Sequence, residues 1–73
     1  MKNGLKLNRE KVRRILDGTG KNESWIPVLL EISPQTYERR FKHGWTREQI
    51  IAVSAILAET THCRIKVSEL IDD

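Results

Sequence analysis

From Ile50 to Ala58 the chain carries an apolar side chain at every position but one. The run is Ile50, Ile51, Ala52, Val53, Ala55, Ile56, Leu57 and Ala58, interrupted only by Ser54. Its start is marked twice. Thr46 can cap a helix and Gln49, three residues on, completes a capping box, while Trp45 and Ile50 fall at the staple positions on either side. A helix without a polar side belongs at the centre of its domain. The chain has 73 residues, enough for one small domain that buries only about 60% of its unfolded surface. The sequence therefore predicts an all-α domain of four to five short helices built round a central helix over 46–59. So short a chain can hardly wrap that helix completely. Val53, Ile56 and Leu57 are the candidates for a contact with a second copy, and burial in the core alone is the competing reading.

The stretch Trp25 to His43, WIPVLLEISPQTYERRFKH, predicts two helices separated by a break at Glu31-Ile32. Ser24 is the expected cap of the first, with Trp25, Ile26, Leu29 and Leu30 on its buried side and Pro27 in the first turn, where no intrahelical bond is lost. Trp25 is read as core or core edge, with stacking on a base as the rival role. In the second helix Ser33 caps, Pro34 takes the first helical position, and Ile32 and Tyr37 form a staple. Gly44 closes it. Two helices joined by a tight turn, the second polar and basic outside, form the pattern of a helix-turn-helix DNA reader over 24–43.

Charge points the same way. Residues 1–47 carry eleven lysines and arginines against five acids, a net of +6, and residues 48–73 two against five, a net of −3. A basic front and an acidic tail suit a chain that meets a polyanion on one side. Residues 1–7, with Gly4 and two lysines, read as a basic arm that either frays or lies along phosphates, with Leu5 and Leu7 tucked under the first helix. Asn8 caps that helix, and Val12, Ile15 and Leu16 give it an apolar stripe. Arg9, Arg13 and Arg14 lie off the stripe, either on DNA backbone or simply in solvent. The GTGK at 18–21 lacks the spacing of a phosphate-binding loop and is read as a turn. Residues 64–67 alternate like a short strand, but a helical turn over 67–71 that lays Leu70 and Ile71 on the core is preferred.

Cys63 is the only cysteine, which excludes an internal disulfide and suits a reduced, cytoplasmic protein. No apolar run approaches the roughly 20 residues of a membrane span, and the N-terminus has no signal-peptide core. One cysteine and two histidines fall short of a tetrahedral metal site. No nucleophile and base stand at a usable spacing. Neither enzyme activity, nor a cofactor, a metal or a small-molecule ligand is expected.

At these residues the chain resembles the Cro and repressor family of small phage and bacterial helix-turn-helix regulators, the lambda repressor-like DNA-binding domains. The family motif runs Leu-Ala-x-x-Leu-Gly-Ile-Ser; here Ile26-Pro27-Val28-Leu29-Leu30-Glu31-Ile32-Ser33 occupies it, followed by Pro34 and a helix closed by Gly44. TREQIIAVSAIL is similar to the family's fourth helix and KVSEL to the segment after it. Glu31 stands where the turn glycine falls, and Pro27 where the small residue falls. The resemblance covers about residues 8–71. It implies base reading at Ser33, Gln35, Glu38, Arg39 and Lys42, with Pro34 limited to apolar contact. Gln35 suits adenine, Arg39 guanine, and Glu38 cytosine unless it pairs on its own helix. Thr36, Arg40, His43, Arg14 and Lys2 are the expected phosphate contacts, together with Lys42. The function implied is a Cro-type transcriptional repressor, a homodimer on double-stranded operator DNA. The alternative is a protein-binding module on the same fold, an antitoxin or a phage-encoded inhibitor of a host protein.

Overall fold

The computed structural model describes residues 4–71, and these are mostly helical. Four α-helices follow one another: α1 (Arg9–Leu16), α2 (Trp25–Leu30), α3 (Pro34–His43) and α4 (Arg47–Thr61). A single 3₁₀ turn, Val67–Glu69, comes last. Helices α1 and α2 and the 3₁₀ turn all pack on α4. Ile50, Val53 and Leu57 of α4 are fully buried, and Val12, Leu16, Ile26, Tyr37, Trp45 and Leu70 close round them. The small all-α class read from the sequence is the one observed.

Three of the four α-helices start at a side-chain cap. Asn8 Oδ1 accepts from the amide of Lys11 at 3.1 Å, and Ser33 Oγ from that of Thr36 at 3.1 Å. Thr46 and Gln49 form the full capping box, at 3.1 and 2.9 Å. Helix α2 departs from expectation. Ser24 makes no side-chain cap; instead Asn22 Oδ1 accepts from the amide and hydroxyl of Ser24, and the peptide of Ser24 is already helical. An asparagine two residues ahead forms the turn that starts this helix.

The stops are less ordinary. Glu31 ends α2 in the left-handed conformation, φ 60° and ψ 40°, and His62 ends α4 likewise at 58° and 31°. Behind Glu31 the amide of Ile32 donates to Pro27 O at 3.0 Å and that of Glu31 to Val28 O at 3.2 Å. This is a Schellman stop built without glycine, at a cost of about 1 kcal/mol for each such side chain.

Residues 4–7 do not hang free as an arm. Leu5 pairs antiparallel with Trp45, amide to carbonyl both ways at 2.6 and 2.9 Å, and Leu7 pairs with Ile71. The amide of Asn8 also donates to Leu70 O at 2.7 Å. Leu7 is buried, and its apolar side chain draws the segment in. Of the two readings of the tail, the helical turn is found, as the 3₁₀ turn at 67–69; residues 64–67 form no strand.

Gly44, between α3 and α4, has φ 108° and ψ 157°, a region that only glycine enters readily, and not the left-handed cap its position suggested. A Cβ there would lie 2.8 Å from the amide nitrogen of Gly4. Replacing Gly44 by alanine should cost about 1–3 kcal/mol in urea denaturation, through both the strained φ and the lost fit to Gly4. Gly18→Ala, where a Cβ meets nothing within 4 Å, should stay within about 0.5 kcal/mol of wild type.

Candidate nucleic-acid interface

Helix α3 is held from its inner side by aromatic rings. Tyr37 and Phe41, one turn apart, meet each other and Trp45 edge to face, with centroids 5.0, 5.7 and 5.2 Å apart. Each such pair contributes on the order of 1 kcal/mol beyond burial. Burying Tyr37 and Trp45 on this side turns the remaining positions outward. Gln35, Glu38, Arg39 and Lys42 follow the i, i+3, i+4, i+7 rule for one helical stripe. They are exposed, and with His43 they line one shallow hollow.

The stripe is basic with one carboxylate in its midst, and that carboxylate is spoken for. Arg9 of α1 grips both oxygens of Glu38, Nη1 to Oε1 at 2.8 Å and Nη2 to Oε2. Its Nε donates to Glu23 Oε2 at 2.7 Å, and its guanidinium lies 4.6 Å from the centre of the Phe41 ring. Glu23 in turn accepts from Arg13 Nε at 2.9 Å and from the Tyr37 hydroxyl at 2.7 Å. Five side chains from α1, the following loop and α3 thus form one network with no net charge. The Arg9 hydrogen bonds hold Glu38 below the usual glutamate range, and Glu38 raises Arg9 against the opposing effect of burial. Burial, then the bond to Glu23, pushes the Tyr37 phenol up, so it stays a neutral donor. Glu38 does not pair on its own helix with Arg39 or Lys42, the alternative to base reading. Its fixed partner is Arg9.

The other candidates divide by position. Gln35, Arg39, Lys42 and His43 form no ion pair among the described residues. Ser33 Oγ, besides capping, donates to Thr36 Oγ1 at 3.0 Å, so both hydroxyls already serve the start of α3. Arg40 is half-buried with its guanidinium 5.7 Å from the Trp45 ring centre. Arg14 is exposed on α1 and takes no part in the hollow. Lys2 lies outside the described residues.

The expected dimer residues are redistributed. Val53 and Leu57 are fully buried, because α1, α2 and the tail close over that side of α4; only Ile56 reaches the surface. Among the described residues the exposed large apolar side chains are Leu5 before α1, Trp25, Val28 and Leu29 of α2, and Ile51 of α4. Trp25 and Leu29, expected in the core, are 39% and 45% exposed; α2 is only six residues long, and Ile26 and Pro27 take its buried side. The signal was present in WIPVLL, which has no polar side to turn to water. The Arg9–Glu23–Glu38 network left no such signal, since its partners are 14 and 29 residues apart.

Among the described residues no helix is long and apolar enough to cross a membrane, and no group of three His, Cys, Asp or Glu side chains could hold a metal ion. No family model, curated protein or solved structure matches the chain.

The Arg9 grip is open to direct measurement. Followed by carboxyl carbon NMR, Glu38 should titrate below the ordinary glutamate value of about 4.3, and Arg9→Met should move it back up toward that value. A depressed carboxylate stabilises the fold above its unfolded pKa and loses that contribution as pH falls through the lower, folded value. Wild type should therefore lose more stability than Arg9→Met on acidification below about pH 4.3. An equal acid response in the two proteins would mean that the grip does not persist in solution.

Proposed function

We propose that the protein is a sequence-specific DNA-binding repressor in which α2, the Glu31–Ser33 turn and α3 act as a helix-turn-helix unit. The observation that carries this reading is the outward stripe of α3. Gln35 and Arg39, one turn apart, are exposed on a helix locked from behind, and Arg39 has no ion-pair partner among the described residues. These are the side chains that pair bidentately with adenine and guanine in the major groove. Lys42, His43 and Arg40 gather at the C-terminal end of the same helix, where they complement its dipole and can reach phosphates. Arg14 adds a cation from α1.

Glu38 changes role in this reading. Arg9 neutralises it, so the stripe meets the polyanion without a loose negative charge at its centre. A carboxylate has about four acceptor sites. The two that Arg9 leaves are enough to accept from a cytosine amino group, so Glu38 stays among the base-contacting side chains, whereas the Ser33 hydroxyl is engaged with Thr36 and is left to its capping role. Repression follows from occupying a promoter as a homodimer on a two-fold symmetric site. The function would be exercised in the cytoplasm. The protein-binding alternative draws its support from the exposed apolar side chains of α2 and α4.

Selection from random duplex DNA separates the two. Wild type should enrich a two-fold symmetric motif, and the Gln35→Ala/Arg39→Ala double variant should lose it while remaining folded. Affinity for the motif should fall on the order of 10³-fold or more between about 50 and 200 mM salt, as expected for six or more phosphate contacts shared by two copies. Weak binding that enriches nothing and ignores the double substitution would overturn the repressor reading and leave the protein partner.

A further inference from the structure

Helices α2 and α4 leave a hollow of about 580 Å³ between them, floored by Trp25, Leu29, Ala55 and Ile56 and edged by Lys21 and Glu59. Two further apolar side chains of the same two helices are exposed. Val28, 66% exposed, lies on the same side of α2 as Trp25, and Ile51, 47% exposed, lies one turn before Ala55 on α4. Exposed apolar side chains scattered singly are ordinary. Here four large ones and a hollow belong to two packed helices, which marks an interaction surface.

We propose that this face is where two copies of the chain meet, about a two-fold axis through the hollow. A two-fold interface needs one patch that is complementary to itself. This patch has both halves of that requirement. In shape, it offers an apolar recess and, on the helix that carries Trp25 and Leu29, an exposed Val28 for a second copy to cover. In charge, its edge carries one lysine and one glutamate, Lys21 and Glu59, with Thr60 and His62 completing the lining. Lys21 lies 4.4 Å from the centre of the Trp25 ring, and neither Lys21 nor Glu59 has an ion-pair partner among the described residues. The axis brings Lys21 of one copy against Glu59 of the other, twice. A basic or acidic partner protein would match only one of the two edges. The face also shares no residue with the α3 hollow, so pairing leaves Gln35, Arg39 and Lys42 open.

The inference deepens the homodimer of the repressor reading, but it can fail by itself. Sedimentation of wild type from roughly 1 to 100 µM should show a monomer–dimer equilibrium in that range. Val28→Glu, a change at an exposed position that leaves the fold intact by circular dichroism, should weaken it more than about tenfold by burying a charge in the contact. Lys21→Glu and Glu59→Lys should each weaken it about tenfold, and the double exchange should restore it, which a general loss of solubility or fold would not do. A monomer throughout, or a dimer indifferent to all of these changes, overturns the face. The DNA selection reports separately. A symmetric motif from a protein that sediments as a monomer keeps the repressor and discards this surface, whereas a dimer with the expected charge rescue and no motif does the reverse.

Discussion

Helix α4 has so little polar surface that it cannot lie on the outside of a stable chain, and most of the structure is the set of elements needed to cover it. Its few hydroxyls do not alter this. Ser54, Thr60 and Thr61 bond back to carbonyls of their own helix at 2.7–2.8 Å, so α4 needs no outside polar partner along its length. Each neighbour then contributes one or two large side chains: Val12 and Leu16 from α1, Ile26 from α2, Leu70 from the tail. Leu7 completes the cover, and the pairing of Leu5 with Trp45 ties the front of the chain to the joint before α4. The side bearing Ile51 and Ala55 is left uncovered by the described residues.

Helix α3 is fixed differently. It is gripped by a ring cluster on one side and by the Arg9 and Tyr37 hydrogen bonds to carboxylates on the other. Charged pairs at a surface contribute little to stability, commonly less than about 1 kcal/mol. The Glu23 hub is different in kind, because its side chain is largely covered and receives three donors, one of them the hydroxyl of the buried Tyr37. Removing it would leave the buried Tyr37 phenol without its acceptor, while Arg9 would keep Glu38 and Arg13 would face solvent. The network therefore sets the orientation of α3 relative to α1 more than it adds to total stability, and orientation is what a stripe of reading side chains requires.

The helix starts were legible because they are written within four residues: Asn8 with Lys11, Ser33 with Thr36, Thr46 with Gln49. The start of α2 falls after Ser24 as expected, but the turn that leads into it is made by Asn22 Oδ1 rather than by the Ser24 hydroxyl, and sequence does not say which oxygen wins. The facing of α4 was not legible at all. Periodicity gives a helix its phase through the contrast between apolar and polar positions, and α4 offers almost none. Val53 and Leu57 were thus exchanged for Ile51 and Ala55 as surface residues. The hub at Glu23 was invisible for another reason: it depends on the loop after α1 folding back, a tertiary event with no local signature. Of the α3 stripe, Gln35, Arg39 and Lys42 lie outward as their spacing implied, while the partner of Glu38 had to come from the fold.

The two tryptophans of the chain sit in opposite surroundings, and this gives the molecule two built-in optical reporters. Trp45 is wholly enclosed, ringed by Tyr37 and Phe41, with its indole N–H unpartnered among the described residues; its emission belongs to the blue end of the tryptophan range. Trp25 stands partly in solvent beside Lys21, so its emission lies to the red and an added quencher can reach it. Unfolding is thus registered by one chromophore and the covering of the α2–α4 face by the other, and the two events can be told apart by wavelength without any label.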